Sequence, residues 1–96
     1  MSWPQLKDGQ TPLRERLYRL QKGLCWICCK PMHINDASFD HIVPLSRGGT
    51  NNPKNKLLAH VGCNLKRGNP VPHAPLREVV DEALRRIRAQ HQDETP

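Results

Sequence analysis

The chain has 96 residues, a net charge of +6 and only 36% apolar residues, four of them aromatic. A domain of this length buries a limited share of its surface and leans on a disulfide, a metal or a partner, which excludes a large self-sufficient core. No apolar run is long enough to cross a bilayer, no apolar signal region follows Met1, and a pI of about 9.6 suits a polyanion such as nucleic acid.

Residues 1–10 lack periodicity, contain Pro4 and Gly9, and read as a loose arm. Thr11-Pro12 suits a helix start, because Thr caps orphan amides and Pro fits the first turn. Leu13, Leu17 and Leu20 recur at helical spacing, and Gly23 stops the run. The expected helix covers about 12–22, with Arg14, Arg16, Arg19 and Lys22 on a face that suits solvent as readily as phosphate. Cys25-Trp26-Ile27-Cys28-Cys29-Lys30-Pro31-Met32 has the form of a zinc knuckle, and 33–36 is a polar link. Ala37 to Val43 reads as a strand that Pro44 ends. Residues 45–56 form a long Gly- and Asn-rich loop, Lys56 to Ala59 a second strand, and Val61 to Lys66 a short helix stopping near Gly68. The order is strand, loop, strand, helix. Residues 69–75 hold three prolines and read as a linker. Leu76 to about Gln90 forms an amphipathic helix with the stripe Leu76, Val79, Val80, Ala83, Leu84 and Ile87. That stripe is expected to pack on its own domain, and residues 92–96 to fray.

The cysteines are Cys25, Cys28, Cys29 and Cys63. Without export the compartment is reducing, and thiols there favour metal over disulfide. A closed structural zinc site takes four Cys or His ligands, often in pairs two residues apart. Cys25-x-x-Cys28 and His60-x-x-Cys63 supply such pairs, separated by residues 29–59. Cys29 offers a second choice for Cys28, with a three-residue spacer. The two-residue spacer forms the tighter turn and is preferred.

Residues between and just behind the two pairs carry chemistry. Hydrolysis of a phosphodiester needs a base for water, and histidine titrates in the right range. It also needs a cation at the phosphate, and hard cations choose oxygen ligands. Asp40, His41 and Asn64 supply these groups. Neighbouring strand residues point to opposite faces, so a bend, water or substrate must bring Asp40 and His41 to one phosphate.

The motifs CWIC, DHIVPLSRGG, NKLL and HVGCNLKRG, from Cys25 to Gly68, resemble the zinc-containing HNH endonuclease family. The resemblance implies one α+β domain over 1–96, a small ββα-metal (His-Me finger) fold with a structural zinc knuckle and flanking helices. It implies His41 as general base, Asp40 and Asn64 as holders of a divalent ion, and Asn55 as the brace of the loop that orients His41. The ion would be Mg²⁺, Mn²⁺ or Ni²⁺, beside structural Zn²⁺ on Cys25, Cys28, His60 and Cys63. Products would be a 5′-phosphate and a 3′-hydroxyl. Arg47, Lys54, Lys56, Lys66 and Arg67 would face the DNA backbone. His60 stands where many members have cysteine, and Cys29 where glycine is common. Small members work with phage packaging machinery, mobile elements or defence systems, so the expected setting is the cytoplasm of a bacterium or of a phage-infected cell. The expected state is a monomer or a homodimer. The competing reading is a noncatalytic zinc module that binds nucleic acid, or a subunit active only within a larger assembly.

Overall fold

The computed structural model describes residues 12–68, 70 and 72–91, the last without its side chain. The expected loose arm over 1–10, the Thr11 cap, Asn69 and Val71 of the linker, and the fraying end over 92–96 lie outside the described residues. In chain order the elements are α1 (Leu13–Leu20), β1 (Ala37–His41), β2 (Lys56–His60), α2 (Val61–Arg67) and α3 (Leu76–His91). Single 3₁₀ turns at Ile34–Asp36, Leu45–Arg47 and Pro53–Asn55 fill segments expected to be plain link and loop. His33, given no role from the sequence, caps the first of these by accepting the Asn35 N–H at 3.2 Å.

The strands pair antiparallel, with Ala37 opposite His60 and His41 opposite Lys56. β1 stops two residues before the predicted Val43. The Ile42 N–H goes to the Asn55 carbonyl at 2.9 Å, and the Val43 N–H goes to the Asn55 side chain at 2.9 Å. The turn at Pro53–Asn55 thereby ends the ladder before Pro44 does.

A two-stranded ribbon is marginal by itself. Here Leu57, Leu58 and Ala59 are buried in succession, which requires cover on both faces of the strand. α1 packs on β2, and α2 packs on both strands. α3 adds Ala83 and Ile87, both fully buried, with Leu76, Val79, Val80 and Leu84 against the same cluster. Its apolar stripe is thus turned into the protein's own core. No helix among the described residues is long and apolar enough to cross a membrane.

The joint between α1 and the sheet is polar. Gln21 is fully buried just past the end of α1. Its Nε2 donates to the Leu24 and Leu58 carbonyls, both at 2.9 Å, and its Oε1 accepts the Leu58 N–H at 2.7 Å. One side-chain amide thereby completes the edge of β2 as a neighbouring strand would. The periodicity of α1 gives no hint of this, because a Gln after Leu20 looks like an exposed helix end. The Trp26 N–H also reaches the Leu58 carbonyl, at 3.2 Å.

The knuckle that follows is a miniature hairpin. Leu24 pairs with Pro31, the Cys25 N–H donates to the Lys30 carbonyl, and the Cys29 N–H donates to the Cys25 carbonyl. Gln21→Leu should orphan the Leu58 N–H in the core and lower stability by about 1–3 kcal/mol. Urea unfolding of the zinc-loaded protein checks this, with an unchanged midpoint as the contrary result.

Candidate functional site

The knuckle brings Cys25 and Cys28 to the junction of β2 and α2, where His60 and Cys63 stand. One ligand atom from each of these four residues lies within 4.8 Å of the others. His60 Nδ1 is 3.4 Å from Cys28 Sγ and 3.7 Å from Cys63 Sγ. Tetrahedral zinc with its usual bond lengths sets such edges at roughly 3.5–3.8 Å, so the donor set fits the ion. His60 Nε2 meets the Pro31 carbonyl at 3.0 Å. The proton of the ring therefore sits on Nε2 and the lone pair of Nδ1 faces the sulfurs, the usual outer support of a metal-bound imidazole.

The thiols also favour a cation. Burial pushes the Cys25 thiol up, yet the N–H groups of Cys28, His60 and Ile27 and the His60 ring outweigh it and bring it to about 7. Burial and the nearby Cys28 and Cys25 sulfurs push Cys63 up to about 11. Cys29 is not among the clustered ligand atoms. It holds the left-handed backbone corner of the knuckle at φ 61°, a conformation that favours glycine.

Beside the knuckle an open depression of about 250 Å³ is lined by Phe39, Asp40, His41, Pro44, Leu45, Ser46 and Asn64. It brings Asp40, His41 and Asn64 to one place, although the first two are strand neighbours. His41 ends β1, where the chain turns out of the ladder. Its Nε2 meets Asn51 Oδ1 at 2.8 Å. The carbonyl oxygen of the amide accepts, so Nε2 is the donor in this contact. Asn64 donates from Nδ2 to the Ser38 hydroxyl and the Phe39 carbonyl, both at 3.3 Å, which leaves Oδ1 as its acceptor.

Asn55 is 2% exposed and does not line the depression. Its side chain accepts from the Val43 N–H and donates to the Val43 carbonyl at 3.0 Å and the Thr50 carbonyl at 2.8 Å. It ties the start of the loop to its far side, where Asn51 follows. Gly49 closes the same loop. Its N–H reaches the Pro44 carbonyl, and a Cβ there would lie 1.8 Å from the Val43 oxygen, so no larger residue fits this turn.

Asp40 is 4% exposed and has partners the sequence does not announce. The Trp26 indole N–H donates to Oδ2 at 2.9 Å. Arg67 Nη1 lies 3.2 Å from Oδ1 and 3.3 Å from Oδ2, and Nη2 donates to the Ile42 carbonyl at 2.8 Å. The guanidinium also stacks over the Trp26 ring, 4.9 Å from its centroid. Burial lifts the Asp40 carboxyl above its ordinary value, against the opposing pull of Arg67, Trp26 and His41. Arg67, expected from the sequence to face the DNA backbone, has its guanidinium on Asp40, the Ile42 carbonyl and the Trp26 ring. Arg47, Lys54 and Lys66 are exposed. Lys56 is half-buried with Nζ 5.5 Å from the Phe39 ring centre, and Arg14 sits over the same ring at 4.9 Å. Arg14 also donates to the Ala37 carbonyl.

Sequence reasoning missed Asn51 and the Trp26–Asp40–Arg67 cluster. A buried indole N–H needs an acceptor, and that signal was available at Trp26. Nothing in the sequence singled out Asn51 from its neighbour Asn52.

Zinc binding must remove the protons that these thiols keep. At pH 7 Cys63 is protonated and Cys25 about half so, given their values of about 11 and about 7. Zinc binding near neutrality should therefore release protons, and affinity should fall as pH falls. Calorimetry in buffers of different ionisation enthalpy measures the release. Binding heats independent of buffer would contradict it.

No curated protein and no solved structure matches the chain. A family model does: the one described as HNH endonuclease matches residues 25–70, just under half of the chain. The matched segment runs from the first knuckle cysteine through both strands and α2, and so contains the whole ligand tetrad and the depression beside it. Residues 25–70 thus resemble an HNH endonuclease domain, and the antiparallel strand pair, following helix and Cys-Cys-His-Cys cluster, which could hold zinc, are consistent with its ββα-metal fold.

Proposed function

We propose that this protein is a metal-dependent DNA endonuclease that hydrolyses phosphodiester bonds at the depression beside the knuckle. One observation carries the reading: Asp40, His41 and Asn64 line the same depression, with His41 Nε2 tied to Asn51. His41 Nδ1 takes a proton from water, the resulting hydroxide attacks phosphorus, and the bond to the 3′ oxygen breaks. The products are a 5′-phosphate and a 3′-hydroxyl. Asn51 keeps His41 in the tautomer that accepts this proton, and Asn55 holds the loop that carries Asn51. The Asp40 carboxylate and the Asn64 carbonyl oxygen are hard donors suited to Mg²⁺ or Mn²⁺. Bound there, such an ion would supply charge stabilisation at the phosphate and the departing oxygen.

The exposed cations Arg47, Lys54 and Lys66, with Lys56 beside Phe39, suit the phosphates flanking the cut. Such contacts are independent of sequence and weaken with salt. One depression cuts one strand, so a single copy nicks. The free cysteines of the tetrad suit a reducing compartment.

Nicking of supercoiled plasmid by the zinc-loaded protein tests the reading, with Mg²⁺, Mn²⁺ or EDTA. His41→Ala should slow nicking by at least about 100-fold while retaining one zinc and the parent's thermal stability. DNA binding without cutting under any of these ions would replace the enzyme with a noncatalytic zinc module. In the same assay Asn51→Ala should cost on the order of 10-fold, because His41 remains but loses its partner. A parent-like rate would remove Asn51 from the site.

A further inference from the structure

The carboxylate assigned to the divalent ion already has a cation. Arg67 Nη1 lies within 3.3 Å of both Asp40 oxygens, and the Trp26 indole N–H takes Oδ2 as well. A carboxylate offers about four lone-pair sites, and these contacts occupy most of them. A guanidinium and a divalent ion on one carboxylate repel each other strongly in a site of reduced dielectric. Asp40 therefore cannot serve both fully.

Arg67 is placed for this competition by the helix itself. It follows Asn64 by three residues on α2, so both side chains share a face and both reach β1, Arg67 at Asp40 and Asn64 at the Phe39 carbonyl. The depression that holds Asp40 and Asn64 and the guanidinium thus meet at a single carboxylate. Arg67 also lines a neighbouring open cleft of about 320 Å³, where His73, Glu82 and Arg86 stand.

We propose that Arg67 is an internal counter-cation that competes with the catalytic divalent ion for Asp40 and so sets the affinity of the site. This rests on the endonuclease reading, because it takes Asp40 as the seat of the ion. Arg67 is then a positioning residue. With the ion absent it neutralises a buried carboxylate and keeps it in place beside Trp26. With the ion present it gives up Asp40.

Mn²⁺ binding to the zinc-loaded full chain tests this without reference to cleavage. Free Mn²⁺ is measured by electron paramagnetic resonance for the parent, Arg67→Met and Asp40→Asn. Methionine keeps apolar bulk against Trp26 and removes the charge. Arg67→Met should bind Mn²⁺ at least tenfold more tightly than the parent, and Mn²⁺ should raise its Tm more. Asp40→Asn should abolish that binding. If Arg67→Met keeps its zinc and binds Mn²⁺ no more tightly, the competition is overturned, while a loss on Asp40→Asn leaves the endonuclease reading standing. Mn²⁺ binding that ignores Asp40→Asn overturns the seat of the ion and the proposal with it. Should Arg67→Met not fold, Arg67→Lys carries the same test. A single ammonium cannot span Asp40 and the Ile42 carbonyl, so several-fold tighter binding is expected, and no tightening overturns the proposal.

Discussion

The structure depends on the cluster of Cys25, Cys28, His60 and Cys63, because it joins the knuckle to the point where β2 becomes α2. A domain of this size has a net stability of roughly 5–15 kcal/mol. Structural zinc in small domains contributes about 10–16 kcal/mol of binding free energy, as much as the whole. The described core is a modest set of Leu, Ile, Ala, Cys, Met and Trp side chains. An ion held there would therefore be a folding partner and more than an addition to a finished structure. The residues enclosed by the two ligand pairs form an insert that carries Asp40, His41 and Asn55. The pairs hold the ends of that insert, and Asn55 and Gly49 shape its loop from within.

Trp26 connects the two centres. It lies between two zinc ligands, its backbone N–H meets β2, and its indole N–H meets Asp40. Arg67 stacks on its ring from α2, and Arg86 of α3 reaches its carbonyl at 3.4 Å. Elements distant in sequence thus converge on a single aromatic. The position of Asp40, and with it the floor of the depression, follows from how the knuckle is seated. Removing one member of an ion pair as buried as Arg67–Asp40, 13% and 4% exposed, ordinarily costs about 3–5 kcal/mol. A carboxylate held this firmly is suited to a site where small displacements matter.

His41 is governed by a lighter arrangement. Its partner Asn51 is exposed on the loop, whereas the brace of that loop, Asn55, is buried. Rigidity is therefore supplied one step behind His41, through hydrogen bonds from the Asn55 side chain to the Val43 and Thr50 carbonyls. Elements that carry function on loops commonly rely on such anchoring to a scaffold.

Much of this was legible in the chain. Strand and helix positions followed from local periodicity and punctuation by Pro and Gly, and were found within a few residues. The candidate zinc tetrad followed from ligand spacing, because ligands a few residues apart can reach one tetrahedral ion. Asp40, His41, Asn55 and Asn64 stood out because their residue types and order carry a chemistry. The tertiary structure alone decided the partners of these groups. Gln21 on the edge of β2, Asn51 on His41, and Trp26 and Arg67 on Asp40 are polar contacts of which only one, His41–Asn51, is near in sequence. Hydrophobic pattern and metal spacing have a period or a fixed separation that a sequence displays. A hydrogen bond between side chains on different elements has neither, and exists only once the core and the ligand cluster have brought the two ends together.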